Sequence, residues 1–276
     1  MRSNRPPGLP VFRPDAPGRR AALGLLGASL VAAVGACAAP ERSGQPDTST
    51  ASDAGTPAPG PAGIKRLRRS FIPDFTLPPV HGGLVPVLTR IPTKHPVVFL
   101  TIDDGAVRTP EMVRLMAAYD YPASLFLART FVQEDPGFFQ QFAAQGSLVE
   151  NHTLSHNINM VRQSGYPQQL ADIAGMQDYA EQQFGRRPTL FRPPGGAYSD
   201  AMRQAVAAAG LKAIVTWEAK ANAGRMDYQH GNSLRPGDIV LMHFRQEFAA
   251  DLAAFRAAQL AAGLEVVLLE SFLGVA

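Results

Sequence analysis

From about residue 95 the chain alternates short β-rich apolar runs with longer stretches bounded by helix start and stop signals. Val97-Val98-Phe99-Leu100-Thr101-Ile102 reads as a buried strand, and Thr109-Pro110-Glu111 supplies an N-cap and a proline at the first helical position, predicting a helix to about Tyr119. Ser124 to Leu127 predicts a second strand, Asp135-Pro136 opens a second helix, and Gly146 closes it before the strand Ser147-Leu148-Val149. A long helix near Pro167 to Phe184 ends at Gly185, and Thr189-Leu190-Phe191 forms a strand. Ser199 caps a helix ending at Gly210, followed by the strand Ala213-Ile214-Val215-Thr216. Ile239 to Met242 and Glu265 to Leu269 complete the strands, with an alanine-rich helix between them that stops at Gly263. About seven strand-helix repeats, without an internal sequence repeat, predict an α/β architecture.

The first apolar run is different in kind. Arg19-Arg20 precede a small-residue run from Ala21 to Ala36, which ends at the only cysteine, Cys37. This pattern predicts a signal peptide over residues 1–36, with the paired arginines leaving the general secretory and twin-arginine routes both open. Val34-Gly35-Ala36-Cys37 resembles the cleavage box of bacterial lipoproteins, which implies a lipid anchor at Cys37. The alternative is an ordinary secreted protein with one idle thiol. Residues 37–63, rich in Ala, Pro, Gly, Ser, Thr and Asp, predict a disordered tether. Residues 64–94 are then expected to form an N-terminal extension and 95–276 the main folded domain. The expected location is the outer face of the cytoplasmic membrane or the cell envelope, or, without the lipid, the medium.

Of 276 residues, 46% are hydrophobic, enough for one large domain with a sizeable core. The formal charge of +3 suggests affinity for nucleic acid only until it is localised. Residues 1–36 hold five arginines and one aspartate; the remainder has 21 basic and 22 acidic residues, net −1. Basicity belongs to the export signal, and no nucleic-acid partner is expected. The run Lys65-Arg66-Leu67-Arg68-Arg69 reads as a solvated cluster or a contact with an anionic surface. A single cysteine excludes an internal disulfide, so packing and any metal must hold the domain together, and a monomer is expected.

Polar motifs fall just after the predicted strand ends: Thr101-Ile102-Asp103-Asp104-Gly105, His152-Thr153-Leu154-Ser155-His156, Arg192-Pro193-Pro194-Gly195-Gly196, Trp217 and His243. Alone, Asp-Asp-Gly is turn chemistry and His-x-x-x-His is often coincidence. Together at strand ends, two adjacent carboxylates and two histidines provide three metal ligands and a spare carboxylate, the inventory of a catalytic zinc-type centre. Five contributing strand ends fit the catalytic face of an irregular barrel better than the crevice of an open sheet.

The order of these segments resembles the polysaccharide deacetylases of the nodulation-factor deacetylase type, carbohydrate esterase family 4, over roughly residues 95 to 272. The resemblance implies an irregular, TIM-like (β/α)7 barrel that removes N-acetyl, or sometimes O-acetyl, groups from glycans. It implies that Asp104, His152 and His156 hold one divalent metal, most often zinc, with cobalt or another divalent ion as the alternative. Asp103 would be the general base, His243 the acid that protonates the departing amine, Arg192 the partner that orients Asp103, and the Gly195 backbone N–H an oxyanion donor. Acetylated glycan is the implied substrate, with peptidoglycan, poly-N-acetylglucosamine, chitin-like oligomers and acetylated xylan all open.

The fourth family motif is where the pattern fails. Aligned on Trp217, the chain has Lys220 where aspartate is common and Ala223-Gly224 where Asp-Trp is. Glu218 or Asp227 is expected to replace the missing acid if it reaches His243 or Arg192. Ile102, Ala106, Asn157 and Gly195 also depart from the usual residues, and Tyr198 is expected to offer the aromatic surface that Gly195 lacks. His81, His95 and His230 match no motif and read as surface or loop residues. Two alternatives stay open: a glycan-binding lipoprotein with little or no turnover, and a hydrolase of small N-acyl or cyclic amides.

Overall fold

The computed structural model describes residues 71–276; the expected signal peptide, Cys37, the expected tether and the basic run at 65–69 lie outside the described residues. The chain forms β1 (Val87–Leu88), β2 (Val97–Asp104), α1 (Pro110–Tyr119), β3 (Ser124–Leu127), α2 (Arg129–Val132), α3 (Pro136–Ala143) and β4 (Leu148–Asn151). Then come α4 (Met160–Gln163), α5 (Tyr166–Phe184), β5 (Leu190–Phe191), a 3-10 turn (Pro194–Gly196), α6 (Asp200–Ala208) and β6 (Ala213–Val215). A hairpin of β7 (Ala219–Asn222) and β8 (Arg225–Tyr228) precedes β9 (Ile239–His243), α7 (Phe248–Ala261), β10 (Glu265–Val266) and α8 (Leu269–Leu273).

Seven strands make a parallel path in the order β1-β6-β5-β4-β3-β2-β9. The chain just past β1 then returns to the start of β9 through a single antiparallel bridge, Arg90 with Asp238. The seam is reinforced by Ile91 N–H donating to Gly237 O (2.8 Å) and by the Arg90–Asp238 ion pair at 3.0 Å. The sheet is thus a curled, irregular seven-stranded barrel closed weakly at one seam. β10 pairs with the first residues of β2, and β7 lies parallel to β9.

Alternation along the strands divides the core. On β2, Val98, Leu100 and Ile102 join the large cluster under α1, α3 and α7, while Val97 and Phe99 join Leu88, Phe126, Leu190, Ala213, Val215 and Ile239 in a second cluster contributed by strands around the barrel. That second cluster fills the interior, and Leu269, Phe272 and Leu273 of α8 with Phe71, Phe75 and Leu77 close its end. A third cluster, including Ile214, Phe191, Met202 and Ile173, packs α5 and α6 on the outside. Thr101 and Asp103 share the parity of Val97 and Phe99; Leu241 and His243 share that of Ile239. The polar site therefore sits on the same inward face as the core, at the strands' C-terminal ends.

The structure departs from the sequence expectation at several elements, among them β1, which lies within the expected N-terminal extension. Leu269 starts a helix instead of ending a strand, because β10 stops at Val266 after pairing with Val97 and Val98. The short helices α2 and α4 and the β7–β8 hairpin were not anticipated.

Two acids are buried in the barrel wall. Glu150 of β4 accepts from Arg186 Nη1 (2.9 Å), Thr189 N (2.7 Å) and Leu190 N (2.6 Å), partners suited to an ionised carboxylate. Glu270 accepts from Ser124 Oγ at 2.8 Å, and its Oε1 has no partner among the described residues. Burial, and next the charge of Glu150, push the Glu270 carboxyl well above its ordinary value, so Glu270 holds the proton. A raised folded-state pKa gives stability that is fully present below the ordinary glutamate value of 4.5 and is lost as pH rises toward the folded value. Urea unfolding across this range is expected to show that decline, on the order of 1 kcal/mol per pH unit at its steepest. Glu270→Gln should flatten it; equal slopes in the two proteins would mean that Glu270 is ionised in the fold.

Candidate active site

Neighbouring residues on a strand point to opposite faces, so two adjacent aspartates should not serve one site. The backbone resolves this at Asp104, whose φ is +78°, followed by Gly105 at +88°. The left-handed turn brings the Asp104 carboxylate back toward the one on Asp103: His152 Nε2 lies 3.4 Å from Asp104 Oδ1 and 3.8 Å from Asp103 Oδ2. Gly105 is also required for space, since a Cβ there would stand 2.4 Å from Val132 Cγ1. Thr153 (+74°) and His156 (+54°) adopt the same region, so among the described residues three of the five non-glycine residues with positive φ belong to these two loops. Backbone strain is concentrated where the ligands converge.

The His152–His156 loop is braced from outside the motif. Asp172 of α5 accepts from Leu154 N (2.9 Å), Ser155 N (3.0 Å) and Ser155 Oγ (2.5 Å). Thr153 Oγ1 accepts from His156 N at 3.0 Å, and Asn151 Oδ1 from Thr153 N at 2.9 Å. The result places His156 Nε2 2.9 Å from Asp104 Oδ1.

The tautomer of His152 follows from its partner. Its Nδ1 lies 2.7 Å from Arg192 O, which can only accept, so Nδ1 carries the proton and the Nε2 lone pair faces the carboxylates. The candidate ligand atoms of Asp104, His152 and His156 all lie within 4.8 Å of one another. Two imidazole nitrogens and a carboxylate oxygen directed at one point repel unless a cation lies between them. The donor set and the backbone partner of His152 both fit a divalent metal.

Arg192 organises the other half. Fully buried, it donates from Nη1 to Asp103 Oδ1 (2.6 Å) and Thr101 Oγ1 (2.7 Å), from Nε to Val215 O (3.1 Å) and from Nη2 to Thr216 O (3.1 Å). Its guanidinium lies 4.3 Å from the centroid of the Phe126 ring. Asp103, 3% exposed, is thereby fixed with one oxygen on Arg192 and the other toward His152. Thr101, which in turn donates to Val240 O at 2.7 Å, is a partner that motif reading missed.

His243 ends β9 opposite Asp103 in register. Burial pushes its pKa below the ordinary histidine value, opposed by the carboxylates of Asp103 and Asp104. Among the described residues no acid hydrogen-bonds it, and neither expected replacement reaches it or Arg192. Glu218 donates its backbone N–H to Ile239 O, at the start of β9 and thus at the far end of the strand from His243, and its carboxylate binds His230 Nδ1 and Arg235 Nη2. Asp227 lies across the hairpin from Lys220 and pairs with Lys220 and Arg225. Instead, the loop after His243 is anchored by Arg245, which binds buried Asp251 through Nε (2.8 Å) and Asn222 Oδ1 through Nη1 (2.7 Å). Asp251 also accepts from Gly224 N at 2.9 Å, pinning the hairpin turn where the family pattern has Asp-Trp.

These groups line a cavity of about 190 Å³ with Ile158, Pro193, Gly195, Trp217 and Leu241. The Gly195 N–H meets no acceptor among the described residues, while Gly196 N donates to Pro193 O at 2.9 Å. Gly196 leaves room for Trp217, whose ring would stand 2.7 Å from a Cβ at that position.

A sequence-family model for polysaccharide deacetylase matches residues 90–214. An uncharacterised protein of Streptomyces coelicolor is 39% identical over 173 residues, covering 62% of this chain and 69% of that one. A peptidoglycan-N-acetylglucosamine deacetylase of Bacillus cereus is 28% identical over 167 residues, covering 57% and 76%. A chitooligosaccharide deacetylase of Sinorhizobium fredii is 30% identical over 163 residues, covering 56% and 74%. Among solved structures, a family 4 carbohydrate esterase from Streptomyces lividans in complex with acetate superposes with a TM-score of 0.52 at 27% identity, over 62% of this chain and 91% of that one. A family 4 pseudoenzyme from Bacillus anthracis shares the fold at 20% identity and a TM-score of 0.57, over 68% and 69%. The chain belongs to the polysaccharide deacetylase family.

Proposed function

We propose that the chain is a metal-dependent carbohydrate deacetylase, a hydrolase that removes N-acetyl or O-acetyl groups from a cell-envelope or extracellular glycan. The observation that carries this reading is the buried Asp103, held by Arg192 beside the Asp104–His152–His156 cluster in one cavity. Relatives named as peptidoglycan and chitooligosaccharide deacetylases support the substrate class. The signal-like N-terminus and Cys37 support export, with a lipid anchor, to the place where such polymers lie.

Asp104, His152 and His156 would hold the metal, and two imidazoles with one carboxylate suit zinc. When bound, a divalent cation polarises an acyl carbonyl and acidifies water. Asp103 Oδ2 takes the proton from the attacking water, and Arg192, bonded to the other oxygen, holds that carboxylate aimed at it. The free Gly195 N–H donates to the oxyanion that forms. His243 gives its proton to the leaving nitrogen, and a pKa below the ordinary value makes the imidazolium a readier donor. Leu241, Pro193 and Trp217 wall the cavity and exclude water around the acyl group.

His243 without a hydrogen-bonded acid favours the alternative of a glycan binder with weak turnover. Acetate release from acetylated peptidoglycan and N-acetylglucosamine oligomers, measured together with metal content by mass spectrometry, separates the readings. Wild type is expected to carry about one divalent ion per chain. Asp103→Asn should keep the metal and lose roughly a hundredfold or more in turnover, whereas Asp104→Ala should lose the metal as well. A metal-loaded wild type that releases no acetate favours the binder, and a wild type that holds no metal defeats both readings.

His243 has a distinct signature. His243→Gln should slow amide deacetylation by roughly a hundredfold but slow hydrolysis of 4-nitrophenyl acetate far less, because nitrophenolate leaves without protonation. Equal losses on the two substrates would remove His243 from the acid role.

A further inference from the structure

Residues 71–80 lie across the end of the barrel opposite the candidate site. Phe71 packs on His95, with ring centroids 5.3 Å apart, and His95 packs on Phe272 of α8 at 6.2 Å. His95 precedes β2 by two positions, so this is the end at which the strands begin, and Asp103 lies about 20 Å further along β2. The segment has no regular secondary structure, yet it is held in place. Asp74 accepts from Thr93 Oγ1 (2.5 Å) and Lys94 N (2.9 Å), His95 Nε2 lies 2.8 Å from Ile72 O, and Phe75 and Leu77 pack on the interior cluster.

An apolar groove of about 420 Å³ runs here, lined by Phe75, Leu77, Pro79 and Val80 from the segment and by Phe272 and Leu273 from α8. Val80 is 44% exposed, and Ile72, next to the lining residue Pro73, is 85% exposed. Isolated exposed apolar side chains are ordinary, but these two adjoin a groove that is itself apolar. Charge at this end is equally uneven. Lys65-Arg66-Leu67-Arg68-Arg69 places four cations in a run that ends two positions before Phe71. At no more than about 3.6 Å per residue, chain connectivity alone keeps Arg68 and Arg69 at this end of the barrel. Exposed Lys212 lines the groove, and exposed Lys94 adjoins the segment through its backbone N–H. Asp74 is the only acid in residues 64–80, and its two oxygens are taken by Thr93 and Lys94.

Exposed apolar side chains beside a cluster of cations are the complement of a bilayer with anionic headgroups, where the apolar groups enter the boundary of headgroup and acyl chain and the cations stay with phosphate. We propose that this end of the barrel docks on an anionic phospholipid bilayer, with Ile72 and Val80 inserted and Lys65, Arg66, Arg68 and Arg69 on the headgroups. The candidate site, at the opposite ends of the strands, then faces away from the membrane. This contact is independent of the deacetylase reading and of a lipid on Cys37, which would tether the chain without orienting it.

The test is amide hydrogen exchange of the full chain, free in solution, on vesicles of phosphatidylcholine alone, and on vesicles of equal parts phosphatidylcholine and phosphatidylglycerol. The apolar N-terminal run would hold the chain on either vesicle, so the readout is where protection falls, not whether binding occurs. Amides from Ile72 to Val80 should exchange about fivefold or more slowly on the anionic vesicles, and at the solution rate on phosphatidylcholine. The amides of His156 and Gly195 should be unaffected by either. Reversing the cluster with Lys65→Glu, Arg66→Glu, Arg68→Glu and Arg69→Glu should abolish the protection, and Ile72→Asp should weaken it, with unchanged exchange in β2 showing that each variant is folded. Equal protection on the two vesicles, no protection on either, or protection of the His156 and Gly195 loops instead overturns the proposal. Protection of residues 72–80 that grows with protein concentration in the absence of vesicles also overturns it, in favour of a second copy of the chain on the groove.

Discussion

The Arg192–Asp103 pair is the contact on which the rest of the site depends. A guanidinium with no solvent exposure is tolerated only when its hydrogens are satisfied, and four acceptors do this: Asp103, Thr101, Val215 and Thr216. The pair ties the ends of β2, β5 and β6 across the barrel interior. Removing either charge would leave the other buried alone, at a cost of about 3–5 kcal/mol. The backbone carbonyl of the same arginine fixes the tautomer of His152, so one residue sets the geometry of the base and the direction of a ligand lone pair.

Around that pair the protein combines rigidity with local strain. Strand alternation alone sends Asp103 and His243 inward above a packed apolar interior, at no conformational cost. Asp104, Thr153 and His156 reach the same point only through left-handed backbone, and the supports for that strain lie elsewhere: Asp172 on α5, Asn151 on β4 and the side chain of Thr153 itself. The loop beyond His243 follows the same plan, with Arg245 and Asp251 pinning the hairpin turn in the region where the family pattern would place an acid.

Much of this was legible in the sequence because period-two alternation and helix caps are local signals. The β2 and β9 runs, the caps at Asp135 and Ser199, and the motif order led to the barrel and to the ligand cluster. The hairpin was missed because Ala219–Asn222 and Arg225–Tyr228 lack the β-branched, apolar character of a typical strand, although Ala223-Gly224 carried a turn signal. Glu218 and Asp227 were misplaced for a related reason. Sequence proximity to a strand end says nothing about register, and parallel pairing of the Glu218 segment with the start of β9 carries Glu218 away from His243. Asp172 and Asp251 lie outside every motif, and Thr101, though it opens the first one, carries no ligand chemistry; the roles of all three appear only through contacts that folding makes.

The most direct test of the central claim, that this cavity is a divalent-metal site with Asp103 beside the ligands, is anomalous diffraction at the zinc edge from crystals of the metal-loaded protein. A single strong peak within about 2.0–2.2 Å of Asp104, His152 Nε2 and His156 Nε2, with Asp103 left on Arg192, is the predicted result. A peak bound by Asp103 in place of Asp104, or no peak among these residues in protein that carries the metal, would contradict it.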